Sequence, residues 1–215
     1  MRTFLIGLMT LWILPQPLHA GQAPRQVIEA SAESVKGVLR QKTAKGSKEE
    51  QEQKARLQKV VDGFLDFTEL AKRALGAHWE PRTAQERTEF VRLLRDLIEA
   101  AYTNAIRQNV EFTLRIDEEQ FSEDGSTASV SAVASAQTKK KKTVSEDLVF
   151  HLFLQGDRWM IYDVEFGDVS LVRHYRAEFN RKIKKESYAA LVAAMKKKLD
   201  EVKAGKISEK DTKIQ

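Results

Sequence analysis

The stretch RWMIYDVEFGDVSLVRHYRAEF, Arg158 to Phe179, changes its hydrophobic period part-way, and that change decides the fold. Met160, Tyr162, Val164 and Phe166 alternate with Trp159, Ile161, Asp163 and Glu165, which predicts a strand with bulky apolar side chains on both faces. Gly167 permits a sharp turn. Asp168 or Ser170 then caps a helix, in which Leu171, Val172, Tyr175, Phe179 and Ile183 fall at spacings of three and four on one face. Arg173, Arg176 and Arg181 make its other side basic.

Upstream the period of two continues. Val144 to Gln155 places Leu148, Phe150, Leu152 and Leu154 on one face and Val149, His151 and Phe153 on the other, with Gln155-Gly156-Asp157 as the turn into residue 158. Thr127 to Gln137 alternates Ala128, Val130, Ala132, Ala134 and Ala136 with Thr127, Ser129, Ser131, Val133 and Ser135, so almost every side chain in it is small. Val110, Phe112, Leu114 and Ile116 alternate with Glu111, Thr113, Arg115 and Asp117, the pattern of an antiparallel strand with one wet face. Asp124-Gly125 and Lys139 to Lys142 mark the turns.

Helical spacing flanks this meander. Pro24 to about Gln41 carries Val27, Ile28, Ser31, Val35, Val38 and Leu39; Lys48 to Leu65 carries Leu57, Val60, Val61 and Phe64; Asp66 or Thr68 caps a short helix that Gly76 stops. A Thr83-x-x-Glu86 capping box opens a long helix with Phe90, Leu93, Leu94, Leu97, Ile98, Tyr102 and Ile106, whose apolar sector is wide enough for two neighbours. Ser187 to Lys203 forms a last helix with Tyr188, Leu191, Met195 and Leu199. Helices, a meander, then helices predict an α+β domain with helices packed on one curved antiparallel sheet of about four or five strands.

Residues 21–204 suffice for one such domain, followed by a polar, disordered tail over 205–215. Arg2, the apolar run Phe4 to Leu14, Pro15, Pro17 and Leu18-His19-Ala20 have the three parts of a signal peptide over 1–20, cleaved after Ala20. The run falls short of the roughly 20 apolar residues that span a bilayer. The chain has no cysteine, which excludes disulfides, thiolate metal sites and a lipid-modified N-terminal cysteine. A net charge of +5, or +4 without Arg2, with both signs interspersed through the helices, does not describe a nucleic-acid binder.

Trp159-x-x-Tyr162-Asp163-Val164, Gly167, then Ser170-Leu171-Val172-x-x-Tyr175-Arg176-x-x-Phe179 resembles the signature of the MlaC family, periplasmic auxiliary components of a lipid-transporting ABC system. Asp66-Phe67 to Leu75-Gly76, Trp79 and Phe90 to Tyr102 are similar to the family's second hallmark region, so the resemblance covers about Gln22 to Leu199. The chain departs from the family at His174, where an Asn is expected, at Ala77-His78 and in its lysine-rich hairpin. The resemblance implies a cone-like fold with an internal apolar pocket for phospholipid. It also implies partners in an inner-membrane ABC transporter complex and an outer-membrane lipoprotein complex, a role in outer-membrane lipid asymmetry, no cofactor and no catalysis.

A strand of Ala and Ser beside strands of Phe, Leu and Tyr either brings a helix close to the sheet or leaves space; the resemblance implies space. The expected lining is Phe64, Phe90, Leu94, Tyr102, Val130, Ala132, Ala134, Phe150, Leu152, Tyr162, Val164, Leu171, Tyr175 and Phe179, with Arg173 and Arg176 either at a head-group mouth or on a solvated face. Lys139 to Lys142 suit lipid head groups or an acidic partner, or equally a solvated hairpin tip. Enzyme motifs are absent, and His78, His151 and His174 are too far apart in sequence to suggest a metal site. Asp163 and Asp168 suit either a proton-abstracting pair in a cone-shaped enzyme or an edge carboxylate and a helix cap. A purely structural adaptor of the transporter is the remaining alternative.

Overall fold

The computed structural model describes residues 21–44, 46–108, 112–137 and 143–204, with the backbone alone at 101–108, 137 and 203. Helices α1 (Pro24–Leu39), α2 (Lys48–Asp62), α3 (Phe67–Leu75) and α4 (Ala84–Gln108) come first. Strands β1 (Phe112–Phe121), β2 (Thr127–Gln137), β3 (Thr143–Gln155), β4 (Arg158–Phe166) and β5 (Val169–Ser170) follow, then α5 (Leu171–Lys185) and α6 (Tyr188–Lys203). The strands form one antiparallel sheet in sequence order, the α+β meander that hydrophobic period predicts. Residues 1–20, Val110, Glu111, Lys139 to Lys142, the tail 205–215 and the side chain of Tyr102 lie outside the described residues. Among the described residues no helix is long and apolar enough to cross a membrane.

Local chemistry sets the boundaries. Ser47, Asp66, Ser170 and Ser187 each accept a backbone N–H at a helix start, and Thr83 and Glu86 complete the capping box before α4. Helix α2 ends at Asp62, short of Leu65, because Phe64 to Asp66 leave the helix to pair with the edge of β4. The Ile161 N–H donates to the Phe64 carbonyl at 2.7 Å, and the Asp66 N–H donates to the Ile161 carbonyl at 2.8 Å. With β5 pairing at Glu165 and Phe166, the outer edge of β4 is covered at both ends.

Strict alternation in β4 does not hold. Leu152 pairs with Ile161 but His151 pairs with Asp163, so Tyr162 is the extra residue of a β-bulge. Trp159 and Ile161 therefore share a face with Val164 and Phe166, while Met160 and Asp163 lie on the other. A second bulge at Asp117 carries β1 on to Phe121, four residues past its expected end, and turns Glu119 and Phe121 onto the face of Val130 and Ala128.

Candidate functional site

The register assembles one apolar face across the whole sheet, bearing Leu114 and Ile116 of β1, the alanines of β2, Leu148, Phe150 and Leu152 of β3, and Ile161, Val164 and Phe166 of β4. Its two ends differ. At one end Ile28 of α1 closes over Ala128, Val130, Leu152, Trp159 and Ile161, all buried, with Phe64 and Leu65 at the margin. Toward the other end Phe112, Leu114, Ile116, Ala134, Ala136, Leu148, Phe150, Val164 and Phe166 are only half-buried. Val144, paired with Ala136 at the extremity, is 46 % exposed. In this half-buried region the inner face of β2 carries Ala134 and Ala136, between β3 and the larger Phe112 and Leu114 of β1.

The helices hold a second apolar core, formed by α3, α4, α5 and α6, and Leu65 and Val164 touch both cores. Phe179 lies edge-on to Phe90 at 5.3 Å and stacked on Tyr175 at 5.4 Å, with neither Phe90 nor Phe179 exposed at all. Leu94, Leu171 and Tyr175 belong to this core too. The expected lining residues are thus divided. Phe64, Val130, Phe150 and Leu152 line the sheet face, Val164 bridges the two cores, and Phe90, Leu94, Leu171, Tyr175 and Phe179 pack among helices. Ala132 is buried on the sheet face and Ala134 is half-buried there. Tyr162, on the bulge, meets Phe153 and His151 on the opposite face, under the Arg73 guanidinium at 3.8 Å, and burial raises its phenol pKa against that cation.

The polar residues of the opening stretch fasten α5 to β4. Asp163, 5 % exposed, accepts from the Ser170 hydroxyl at 2.6 Å and from the Val172 N–H at 3.0 Å, at the start of α5. Ser170, not Asp168, is the helix cap, and it accepts from the Arg173 N–H at 3.0 Å. Arg173 donates to Glu165 at 3.0 Å, and Arg176 donates through Nε and Nη2 to the Arg73 carbonyl at the end of α3. Both guanidinium groups thus have protein partners. The sequence distance between His151 and the two carboxylates disappears in the sheet: the ligand atoms of His151, Asp163 and Glu165 lie within 4.8 Å of one another. The strand register could have found this cluster, since His151 faces Asp163 directly. Each carboxylate oxygen of the cluster has a protein partner, in Ser170, Val172, Arg173 or His151, whose Nε2 sits 2.8 Å from Glu165, so the cluster forms a polar network. His78 pairs with Asn180, and His174 lies 3.6 Å from Glu178.

A five-strand antiparallel meander with α1 over one end of its inner face and a helical core beside it is an open-sheet α+β domain. Residues 29–197 match the family model described as MlaC protein, and the chain belongs to that family. Among solved structures it is similar to the phospholipid-binding protein of Ralstonia solanacearum, determined in complex with a phospholipid. The TM-score is 0.70 at 15 % identity, over 85 % of this chain and 99 % of that one. At that identity the likeness is one of fold. No curated protein sequence matches the chain.

Proposed function

We propose that this chain is a periplasmic phospholipid carrier that takes lipid between an inner-membrane ABC transporter complex and an outer-membrane lipoprotein complex, and so maintains outer-membrane lipid asymmetry. One observation carries the reading: the half-buried apolar end of the sheet face, from Leu114 across Ala134 to Phe150 and Phe166. A lipid chain exposed to water costs about 0.8 kcal/mol per methylene. Two chains therefore need a dry surface to cross an aqueous compartment, whereas passage from bilayer to pocket exchanges one apolar setting for another. Family membership and the phospholipid in the Ralstonia relative support the same ligand class.

The work is binding rather than bond chemistry. Asp163, the base a cone-shaped enzyme would need, has both oxygens engaged at the α5 N-terminus, and Asp168 is exposed on the turn. A head-group role for Arg173 or Arg176 would require each to exchange its present partner for a phosphate. Export fits the N-terminal pattern, with Gly21 as the first residue of the mature chain. Organic extraction of protein purified without detergent, followed by mass spectrometry, tests the carrier. Phospholipid near one molecule per chain is expected, and a lipid-free extract from folded protein sinks the proposal in favour of a structural adaptor.

A further inference from the structure

Helix α5 carries six cationic side chains, Arg173, Arg176, Arg181, Lys182, Lys184 and Lys185, against one carboxylate, Glu178. That excess of five equals the net charge of the whole chain, +5 from 36 cations and 31 carboxylates, so the other 200 residues balance. The one carboxylate is buried beside His174 and does not reach the outer face. Arg173 is neutralised by Glu165 and Lys182 by Glu186. Arg176 binds a backbone carbonyl, which leaves its charge uncompensated. Arg181, Lys184 and Lys185 are exposed, without a carboxylate partner among the described residues. The nearest acid on the packed neighbour α3, Glu69, is taken by Arg73 at 2.7 Å and Lys72 at 3.9 Å. A helix C-terminus carries only about half a negative charge, felt within its last turn, and Arg176 and Arg181 lie before that turn.

We propose that the exposed face of α5 is a docking surface for an anionic bilayer, approached by charge alone; the inference rests on the carrier reading above. A protein partner of stable affinity needs an apolar centre with aromatic anchors, and the exposed face here offers nothing apolar larger than Ala177. A bilayer of anionic head groups needs no such centre. Each cation near it contributes independently, about fivefold in partitioning, and the attraction fades within a Debye length. Adsorption of that kind is reversible, as a carrier that must leave again requires.

Sedimentation of the full chain with vesicles tests this. Binding is expected to phosphatidylcholine vesicles containing phosphatidylglycerol and not to phosphatidylcholine alone, with release at about 1 M salt, where screening acts over about 3 Å. The double variant Arg181→Ser/Lys184→Ser, on residues that touch neither core, should weaken binding about 25-fold while its extracted lipid and helix content stay unchanged. The same charge change on α2, Lys48→Ser/Lys59→Ser, is expected to cost far less. Equal binding to both vesicle types, no binding to either, or an equal loss from the α2 pair overturns the surface. Extraction without lipid, alongside the expected vesicle binding, would leave the surface standing and remove the carrier.

Discussion

Replacing Ala134 with Trp sets an indole in the half-open end of the sheet face, between Leu114 on β1 and Glu146 on β3. The same change two residues away at Ala132, which is 2 % exposed between Ile116 and Leu148, enters filled space. Overpacking of that kind costs about 1 to 3 kcal/mol. At Ala134 the ring should bury about 100 Å² of apolar surface without displacing protein, a gain of about 2.5 kcal/mol at 25 cal/mol per Å². Side-chain ordering offsets about 1 kcal/mol of that gain, so the lipid-free stability should match or slightly exceed that of the wild type. An indole there denies burial to about three methylenes, or about 2.4 kcal/mol, which corresponds to roughly 50-fold weaker lipid retention. Urea unfolding and lipid mass spectrometry on both variants give the comparison. If Ala134→Trp loses about 2 kcal/mol and keeps its full lipid load, the open end of the sheet is packed core and the pocket must be sought elsewhere.

Phe179→Ala empties a fully buried site that touches Phe90 and Tyr175, and should cost about 3 to 5 kcal/mol in urea unfolding; a loss under about 1 kcal/mol would show that the helical core relaxes around lipid space. Asp163→Ala strands the Ser170 hydroxyl and the Val172 N–H, and should cost about 2 to 4 kcal/mol with Asp163→Asn intermediate; equal stability of both variants with wild type would refute the latch. Hydrogen bonds from Ser122 and Ser126 lower the Asp124 carboxyl from 3.8 to about 2, so its contribution to the turn is present above 3.8 and lost as pH falls toward 2. A carbon-detected titration with a midpoint near 3.8 would contradict that geometry. Burial, with Glu86 nearby, pushes the Tyr188 phenol up to about 12. Unfolded chains lose this proton near 10, so stability should fall between pH 10 and 12 with one tyrosine ionising late by absorbance.

Period and capping chemistry made most of the fold legible. Thr127 to Gln137 and Arg158 to Phe166 appear in the structure with the bounds their alternation predicts, and the Thr83–Glu86 box starts α4 where it stands in the sequence. What the sequence hid were the places where pairing overrides pattern. Apolar spacing carries α2 to Leu65, but the edge of β4 offers Phe64 and Asp66 hydrogen bonds that a last helical turn cannot match. The bulge at Tyr162 has no local signature, because Met160, Tyr162 and Val164 read as a continuous apolar row until the partner strand fixes the register. The site was legible by face and not by depth. The small strand β2 and its large neighbours are plain in the sequence, yet the division between a sealed and an open end depends on where α1 lies across the sheet, a long-range choice.

That division gives the signature residues a common physical task. Trp159 and Val164 pack on the sheet face, Asp163 and Ser170 fix the first turn of α5, and Gly167, at φ 55°, makes the reversal that only a residue without Cβ takes cheaply. Tyr175 and Phe179 seat α5 in the helical core, and Arg176 ties it to the last turn of α3, the helix whose Arg73 covers Tyr162 at the bulge. Each contact joins α3, α5 and β4 into one unit along a single margin of the sheet. None of these residues pairs with Ala134, which lies between Leu114 of β1 and Glu146 of β3. At the opposite margin, among the described residues, α1 packs on β1 and β2, and the exposure of the inner residues rises from Ile28 toward Phe112. On the carrier reading proposed above, these fixed contacts lie away from the half-buried apolar end, so the strongest sequence motif describes the joint of α3, α5 and β4 and not the ligand.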